Sequence, residues 1–454
     1  MEKFMKFLNE KLTPLANFFG RQRHLLAMQR GFMAMISFIF IGAVFMIIAN
    51  PPVTADMVAN GGILSIFSGW VNFAAKYKMV ILIPFNMTMG MLGVIAAFAI
   101  AYNLASSYKM SAMSSALTSA IIFMLTAAPA GYYALADGSV ASMMKTTYLG
   151  SQGLFTAIVV AIVTVEVTRF CLSHHLTIRL PESVPPFISE TFSLIIPGVL
   201  NTIIFFGGNL LIQAYDPTMT LPALIEFVLG KPLGGLCNTW PGAIALCIIS
   251  SLFWCCGLHG TMILMPFTTA IGMQVATRNM ELVAAGKDII FQPAMFGDAG
   301  NLLGGGAGNT FSFVLLCLLL AHSKQLKAFG KATIIPSFCR ISEPVLYGAP
   351  IAFNPILMIP FIVGTLLSNA LYTICCMTGL ITPIYLQVAG TFPIFINSFI
   401  KCLDFRIIIF EIVLIAILAV VWYPFFKIYD SQLGTKEKMK EEEIDSNNIE
   451  ESIA

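Results

Sequence analysis

The chain has 454 residues, of which 57% are hydrophobic and 11% charged, with a formal net charge of +2 and a mean hydropathy of +0.85. That balance lies far from soluble averages and predicts an all-α polytopic membrane protein surrounded by the lipid bilayer. So small a net charge gives no reason to expect a nucleic-acid partner.

Within residues 1–30, Phe4, Phe7, Leu8, Leu12 and Leu15 recur at near-helical spacing with Lys3, Lys6 and Lys11 between them. This suggests an amphipathic helix on the cytoplasmic membrane face, although a soluble helix packed on the protein reads equally well. The segment lacks the continuous apolar core and small-residue cleavage site of a signal peptide. Apolar runs follow at 31–50, 79–101, 115–130, 152–171, 190–214, 241–258, 261–276, 308–322, 355–379 and 407–426. At about 20 residues per span they predict about ten transmembrane helices, some short, with broken or re-entrant hairpins among them. The chain then divides into 1–30, two transmembrane halves at 31–235 and 236–430, and a tail at 431–454.

Arg21, Arg23 and Arg30 precede the first span, Arg169 and Arg179 follow the fourth, and Lys324, Lys327 and Lys331 form a basic loop after the eighth. Alternate threading puts all three clusters on one side, which predicts cytoplasmic N- and C-termini. Lys76 and Lys78 fall on the other side. The tail carries Glu441, Glu442, Glu443, Asp445, Glu450 and Glu451 and few apolar residues, and reads as a disordered solvated end.

The ten cysteines show no metal-ligand spacing; Cys255-Cys256 and Cys375-Cys376 are adjacent pairs inside apolar runs and read as small buried hydrophobes. No metal or cofactor is expected. In Trp254-Cys255-Cys256-Gly257-Leu258-His259-Gly260 the glycines allow a turn that exposes His259 to any cavity between the two flanking runs. A histidine donates and accepts hydrogen bonds, which suits a hydroxyl-rich ligand; a satisfied packing histidine is the plain alternative. Trp254 and Trp240 add rings on which sugar C–H faces could stack, or they mark span ends. The run Gly304-Gly305-Gly306-Ala307-Gly308-Asn309-Thr310 lacks the lysine of a phosphate loop, so close packing or backbone approach to a ligand explains it better.

The segment Ile341-Ser342-Glu343-Pro344-Val345-Leu346-Tyr347-Gly348 places a carboxylate and a proline inside an apolar background. A charge near the bilayer centre costs about 3 kcal/mol and by default marks a substrate, ion or proton site. Pro344 should break the helix there and push Ser342 and Glu343 out of regular α geometry. Arg340, three residues earlier, offers Glu343 a purely structural partner.

Taken with Arg23-His24-Leu25, Arg30-Gly31-Phe32, Leu149-Gly150-Ser151-Gln152-Gly153-Leu154-Phe155, Pro181-Glu182-Ser183-Val184-Pro185-Pro186, Lys324-Gln325-Leu326-Lys327, Asn354-Pro355 and Tyr423-Pro424-Phe425-Phe426-Lys427, these motifs carry a family resemblance. The chain resembles the membrane permease, enzyme IIC, of the bacterial phosphoenolpyruvate-dependent sugar phosphotransferase system, in its lactose, cellobiose and diacetylchitobiose branch. The glycine–histidine–glycine and glutamate–proline motifs are the specific part. Ser342 stands where the family usually has asparagine, Cys339 and Arg340 replace small or polar residues, and Gly390-Thr391-Phe392-Pro393 lacks a preceding tryptophan.

The resemblance implies a homodimer joined through the first five spans, with the sugar held by the later ones, in a bacterial inner membrane. It implies that His259 and Glu343 line a disaccharide site, with Glu343 near the C6 hydroxyl and Trp254 a wall residue. The phosphate would come from a cysteine on a cytoplasmic IIB protein or domain, so the permease holds no phosphorylated catalytic residue of its own. Glu343 would orient that hydroxyl or take its proton. Two other classes stay open. A proton-coupled secondary sugar transporter would use Glu343 and His259 as a relay. An enzyme acting on lipid-linked sugars should show paired carboxylates or a metal cluster, and Asp298 has no acidic neighbour.

Overall fold

A computed structural model describes residues 21–51, 63–178, 180, 181, 183–297, 303–349, 351–386 and 392–453, with positions 10, 14, 18 and 58 as isolated points. The expected N-terminal amphipathic helix, Arg179, Glu182, Asp298, Pro350 and Gly390-Thr391 lie outside the described residues.

The first region is a set of close-packed helices: α1 (Arg23–Ala49), α2 (Ser68–Ile81), α3 (Ile83–Met89), α4 (Leu92–Ser107), α5 (Ala112–Ala127) and α6 (Leu154–Ser173). Small residues set their spacing. A Cβ on Gly31 of α1 would lie 2.5 Å from Cγ1 of Ile100, so the two backbones meet there. Opposite it, Ala96, Ala97, Ala101 and Ala105 of α4 are fully buried. Between α5 and α6 stands a hairpin that the apolar runs did not announce, β1 (Ala130–Ala134) paired antiparallel with β2 (Val140–Met144), Ala130 opposite Met144.

The single span expected at 79–101 is divided. Helix α3 ends at Met89 and α4 starts at Leu92, because the loop before α6 enters the gap and Leu149 O accepts from the Gly93 N–H at 2.7 Å.

The middle of the chain is less regular. Helices α7 (Pro186–Ser193), α8 (Ile195–Thr202) and α9 (Gly208–Tyr215) run on through a π-turn at Ile203–Gly207. Helices α10 (Leu221–Ile225) and α11 (Lys231–Cys237) flank a second π-turn at Glu226–Gly230. Beyond them, α12 (Trp240–Cys255) turns back into α13 (Gly260–Ala284).

The remaining helices are α14 (Phe311–Leu320), α15 (Lys324–Phe338), α16 (Glu343–Gly348), α17 (Pro355–Met377), α18 (Ile394–Cys402) and α19 (Arg406–Ile453). A second apolar core, holding Phe313, Phe361, Tyr372, Leu418 and Trp422, lies among them. Among the described residues five helices are long and apolar enough to cross a membrane, two bent pairs raise this to seven, and three shorter apolar helices accompany them. These helices make an all-α membrane fold with broken spans, as the sequence predicts.

Two expectations are corrected at the C-terminal side. Lys324, Lys327 and Lys331 lie on α15 rather than in a loop, exposed and spaced so that they share a helix face. The acidic tail continues α19 to Ile453 instead of ending in an unstructured segment. Its lysines and glutamates are good helix formers, and its base is anchored. Asp430 accepts from the backbone N–H of His322 and Ser323, and Glu437 from Ser323 Oγ at 2.7 Å and the N–H of Lys324 and Gln325. Two carboxylates of α19 thus occupy the N-terminus of α15, where unpaired N–H groups and the helix dipole favour negative charge.

Candidate functional site

The turn between α12 and α13 follows from its glycine. Gly257 takes φ +71°, and the Gly257 and Leu258 N–H groups bond back to Trp254 O and Phe253 O, both at 3.0 Å. This pairing closes α12 with a left-handed residue that only glycine adopts cheaply. His259 then caps α13: its Nδ1 accepts from the Met262 N–H at 3.2 Å. Since Nδ1 is the acceptor, the neutral ring carries its proton on Nε2. That nitrogen faces Glu343 Oε1 at 3.5 Å, with the two side chains 37% and 46% exposed.

Glu343 arrives there by a second helix termination. At the end of α15 the Arg340 and Ile341 N–H groups bond to Ser337 O and Pro336 O at 2.9 Å, with Arg340 at φ +63° where a glycine is usual. A non-glycine residue in that region costs about 1–2 kcal/mol. The break therefore falls at Arg340 and not at Pro344. Ser342 is in the right-handed helical region, and Pro344 sits in the first turn of α16, where its missing N–H would have no partner anyway.

The glycine-rich run is a platform under this segment. The Ala307 N–H donates to Ser342 Oγ at 2.9 Å, and a Cβ on Gly306 would lie 2.6 Å from that oxygen and 2.8 Å from Arg340 O. Close approach of backbone to backbone, rather than a phosphate, explains the glycines. The two turns are also tied to each other: Tyr347 Oη donates to Gly257 O at 3.1 Å, and the Phe353 N–H donates to Cys255 O at 2.9 Å. His259 and Glu343, far apart in sequence, are thereby brought to one place.

Trp254 is placed differently from the expectation. It is 3% exposed, its ring centroid lies 4.1 Å from that of His259, and its Nε1–H reaches Thr261 Oγ1 at 3.4 Å. Its indole backs the imidazole and leaves no open stacking face. Tyr347, on the helix of Glu343, is 54% exposed and does offer one. Trp240 lies elsewhere, against Phe291 and Phe296.

A further carboxylate was missed in the sequence. Glu411 of α19 is fully buried; it accepts from the Gly304 N–H at 2.9 Å and from Ser398 Oγ, and its charge faces that of Arg340. The Arg340 side chain donates from Nε to Phe392 O at 3.5 Å. The signal was available, since Glu411 is an acidic residue alone in an apolar run.

At the opposite end of the first region a basic cluster gathers. Glu166 accepts from Tyr108 Oη at 2.6 Å and pairs with His24 Nε2 at 3.0 Å and Arg169 Nε at 3.1 Å, while the guanidinium groups of Arg23 and Arg169 stand over the Tyr108 ring. Among the described residues no group of three or more His, Cys, Asp or Glu is placed to hold a metal ion.

Comparison with known proteins gives the same class of molecule. Residues 29–365 match the family described as "Phosphotransferase system, EIIC". The chain is 31% identical to the lichenan permease IIC component of Bacillus subtilis (strain 168), covering 97% of this chain and 96% of that protein. It is 28% identical to the cellobiose-specific EIIC component of Geobacillus stearothermophilus, covering 96% and 97%. The crystal structure of the transporter ChbC, the IIC component from the N,N'-diacetylchitobiose-specific phosphotransferase system, superposes with a TM-score of 0.84 at 29% identity, covering 95% of this chain and 99% of that one.

Proposed function

The chain belongs to the EIIC family of the phosphotransferase system, a family of sugar-transport permeases of the cell membrane, and from that premise we propose that it imports a disaccharide and presents the C6 hydroxyl for phosphorylation by a cytoplasmic IIB protein. The sugar is of the cellobiose, diacetylchitobiose or lactose type. The observation that carries this reading is the half-exposed pair of His259 Nε2 and Glu343 Oε1, held 3.5 Å apart on two turns that are hydrogen-bonded together. That separation is long for a direct bond, and a sugar hydroxyl between the two groups can accept from Nε2–H and donate to the carboxylate. Phosphoryl transfer is mainly a matter of positioning and charge, so the part left to the permease is to hold the attacking oxygen in line and receive its proton. Glu343 fills both roles, and His259, backed by Trp254, fixes the sugar.

In this reading the chain works as a homodimer joined through the first five spans, which run from α1 to α9. Both termini face the cytoplasm, with Arg23 and Arg169 at that surface. Its relatives are phosphotransferase components, which does not favour the proton-coupled alternative.

The test uses the full chain in nanodiscs with the complete phosphorelay. Glu343→Gln keeps the shape and an acceptor but removes the basicity, so cellobiose, diacetylchitobiose or lactose should still bind by calorimetry while phosphotransfer falls by about 10²–10⁴-fold. Full phosphotransfer by this variant at saturating sugar would take Glu343 out of the chemistry.

A further inference from the structure

A cavity of about 900 Å³ lies away from His259 and Glu343, walled by the segments 85–91 and 146–152 of the first region, by the π-turn at Glu226–Gly230 and by the second half of α13. Its size falls within the usual range for small-molecule sites, about 300–1,000 Å³. Helix α13 joins the two places. His259 caps its start, and Gln274, Thr277, Arg278 and Glu281 line the cavity from its far part, spaced so that they share one helix face. At 1.5 Å per residue the two places are about 22 Å apart along that helix.

Among the described residues, two polar atoms in this wall are buried without a hydrogen-bond partner, Glu226 Oε2 and Thr277 Oγ1, and Thr277 is 8% exposed. Buried polar atoms are nearly always paired, so an orphaned pair in one cavity wall points to a ligand or solvent that completes them. Glu226 is held in place: its carboxylate folds onto Gly230, where a Cβ would lie 2.4 Å from it, and Gln274 shares the same wall. It also belongs to a π-turn, a distortion often found at functional sites.

The position gives direction. Helices α4 and α6 both start at this cavity, near Gly90 and Gln152, and both end at the cluster of Tyr108, Glu166 and Arg169. With that cluster cytoplasmic, the cavity opens toward the outer face. Carboxylates and amides line this cavity together with the partly exposed ring of Tyr148, which is the chemistry that recognises a hydroxylated, partly apolar sugar. Glu226 and Glu281 against Arg278 also favour a neutral sugar over a phosphorylated one.

We propose that this cavity is an outer docking site for the unphosphorylated disaccharide, distinct from the His259–Glu343 site. The proposal rests on the permease reading above and deepens it. Full-length protein in nanodiscs is titrated with radiolabelled cellobiose and diacetylchitobiose. Two classes of site are expected, the weaker lost in Glu226→Gln and unchanged in His259→Ala, which weakens the tighter one roughly fivefold. In vesicles of known orientation, Gln274→Cys should react with a membrane-impermeant thiol reagent from outside, above the parent chain, and sugar should protect it even when His259→Ala is also present. A single class in the wild type, or labelling of Gln274→Cys that sugar leaves unchanged, would overturn the outer site while leaving the inner one standing. Protection without any class of site sensitive to His259→Ala would instead count against the His259–Glu343 reading and keep the outer site.

Discussion

The helices α1 to α6 and the segment from α12 to α19 are built from similarly apolar sequence, yet they bury different things. In α1 to α6 the buried polar residues are hydroxyls such as Ser119, Thr126 and Thr168, which bond to backbone carbonyls within or between helices. Among the described residues every buried charged side chain, Lys401, Glu411 and Asp430, lies in the later segment. Left-handed residues cluster there too, at Gly304, Gly305, Gly306, Gly308, Asn309, Arg340, Phe353 and Leu403. Regular helices satisfy their own backbone in lipid and need only small residues to pack. Broken ones free N–H and C=O groups that must be met by other groups, and Glu411 on Gly304 and Ser342 on Ala307 show how this is done.

The largest expected effect tests that difference directly. Glu411→Ala removes the buried acceptor of the Gly304 N–H and of Ser398 Oγ, and should destabilise the fold by about 2–4 kcal/mol in thermal unfolding, since two buried donors lose their partner. Ser119→Ala in the first region deletes one hydroxyl bond to Ala97 O and should cost only about 1 kcal/mol. Equal losses at the two positions would erase the contrast. Next comes Gly31→Ala, whose new methyl group meets Ile100 at 2.5 Å; overpacking of this kind costs about 1–3 kcal/mol. An unchanged melting temperature would mean that α1 and α4 are free to move apart.

Function should divide along the same line. His259→Ala deletes one hydrogen-bonding ring and should weaken disaccharide binding by about 1 kcal/mol, roughly fivefold by calorimetry, with little change in melting temperature. A variant that melts early but binds normally would make His259 a structural cap of α13 only. The smallest effect belongs to the surface. Replacing Lys324, Lys327 and Lys331 with glutamine should reduce the apparent affinity for phospho-IIB severalfold at low salt, and the difference should fade at high salt as exposed charges are screened. No change at low salt would leave the lysines as topology signals.

The sequence alone carried the class and much of the candidate site. An apolar composition requires lipid, lipid requires helices, and against that background His259 and Glu343 stand out because polar groups there are costly. The same rule applied to Glu411 would have found it, but a lone carboxylate without a proline or glycine beside it looked like part of an ordinary span. Periodicity also misplaced the backbone breaks. Pro344 reads as a breaker, yet the chain turns at Arg340, because the termination of α15 depends on the glycine platform packed against it from elsewhere in the chain. The charged tail read as unstructured, since composition cannot show that Asp430 and Glu437 dock on the start of α15. What the residues themselves determine is the solvent, the helices and the cost of each polar group. Which polar groups meet is decided only by tertiary structure, because those meetings are made by backbone turns and distant partners that local pattern does not encode.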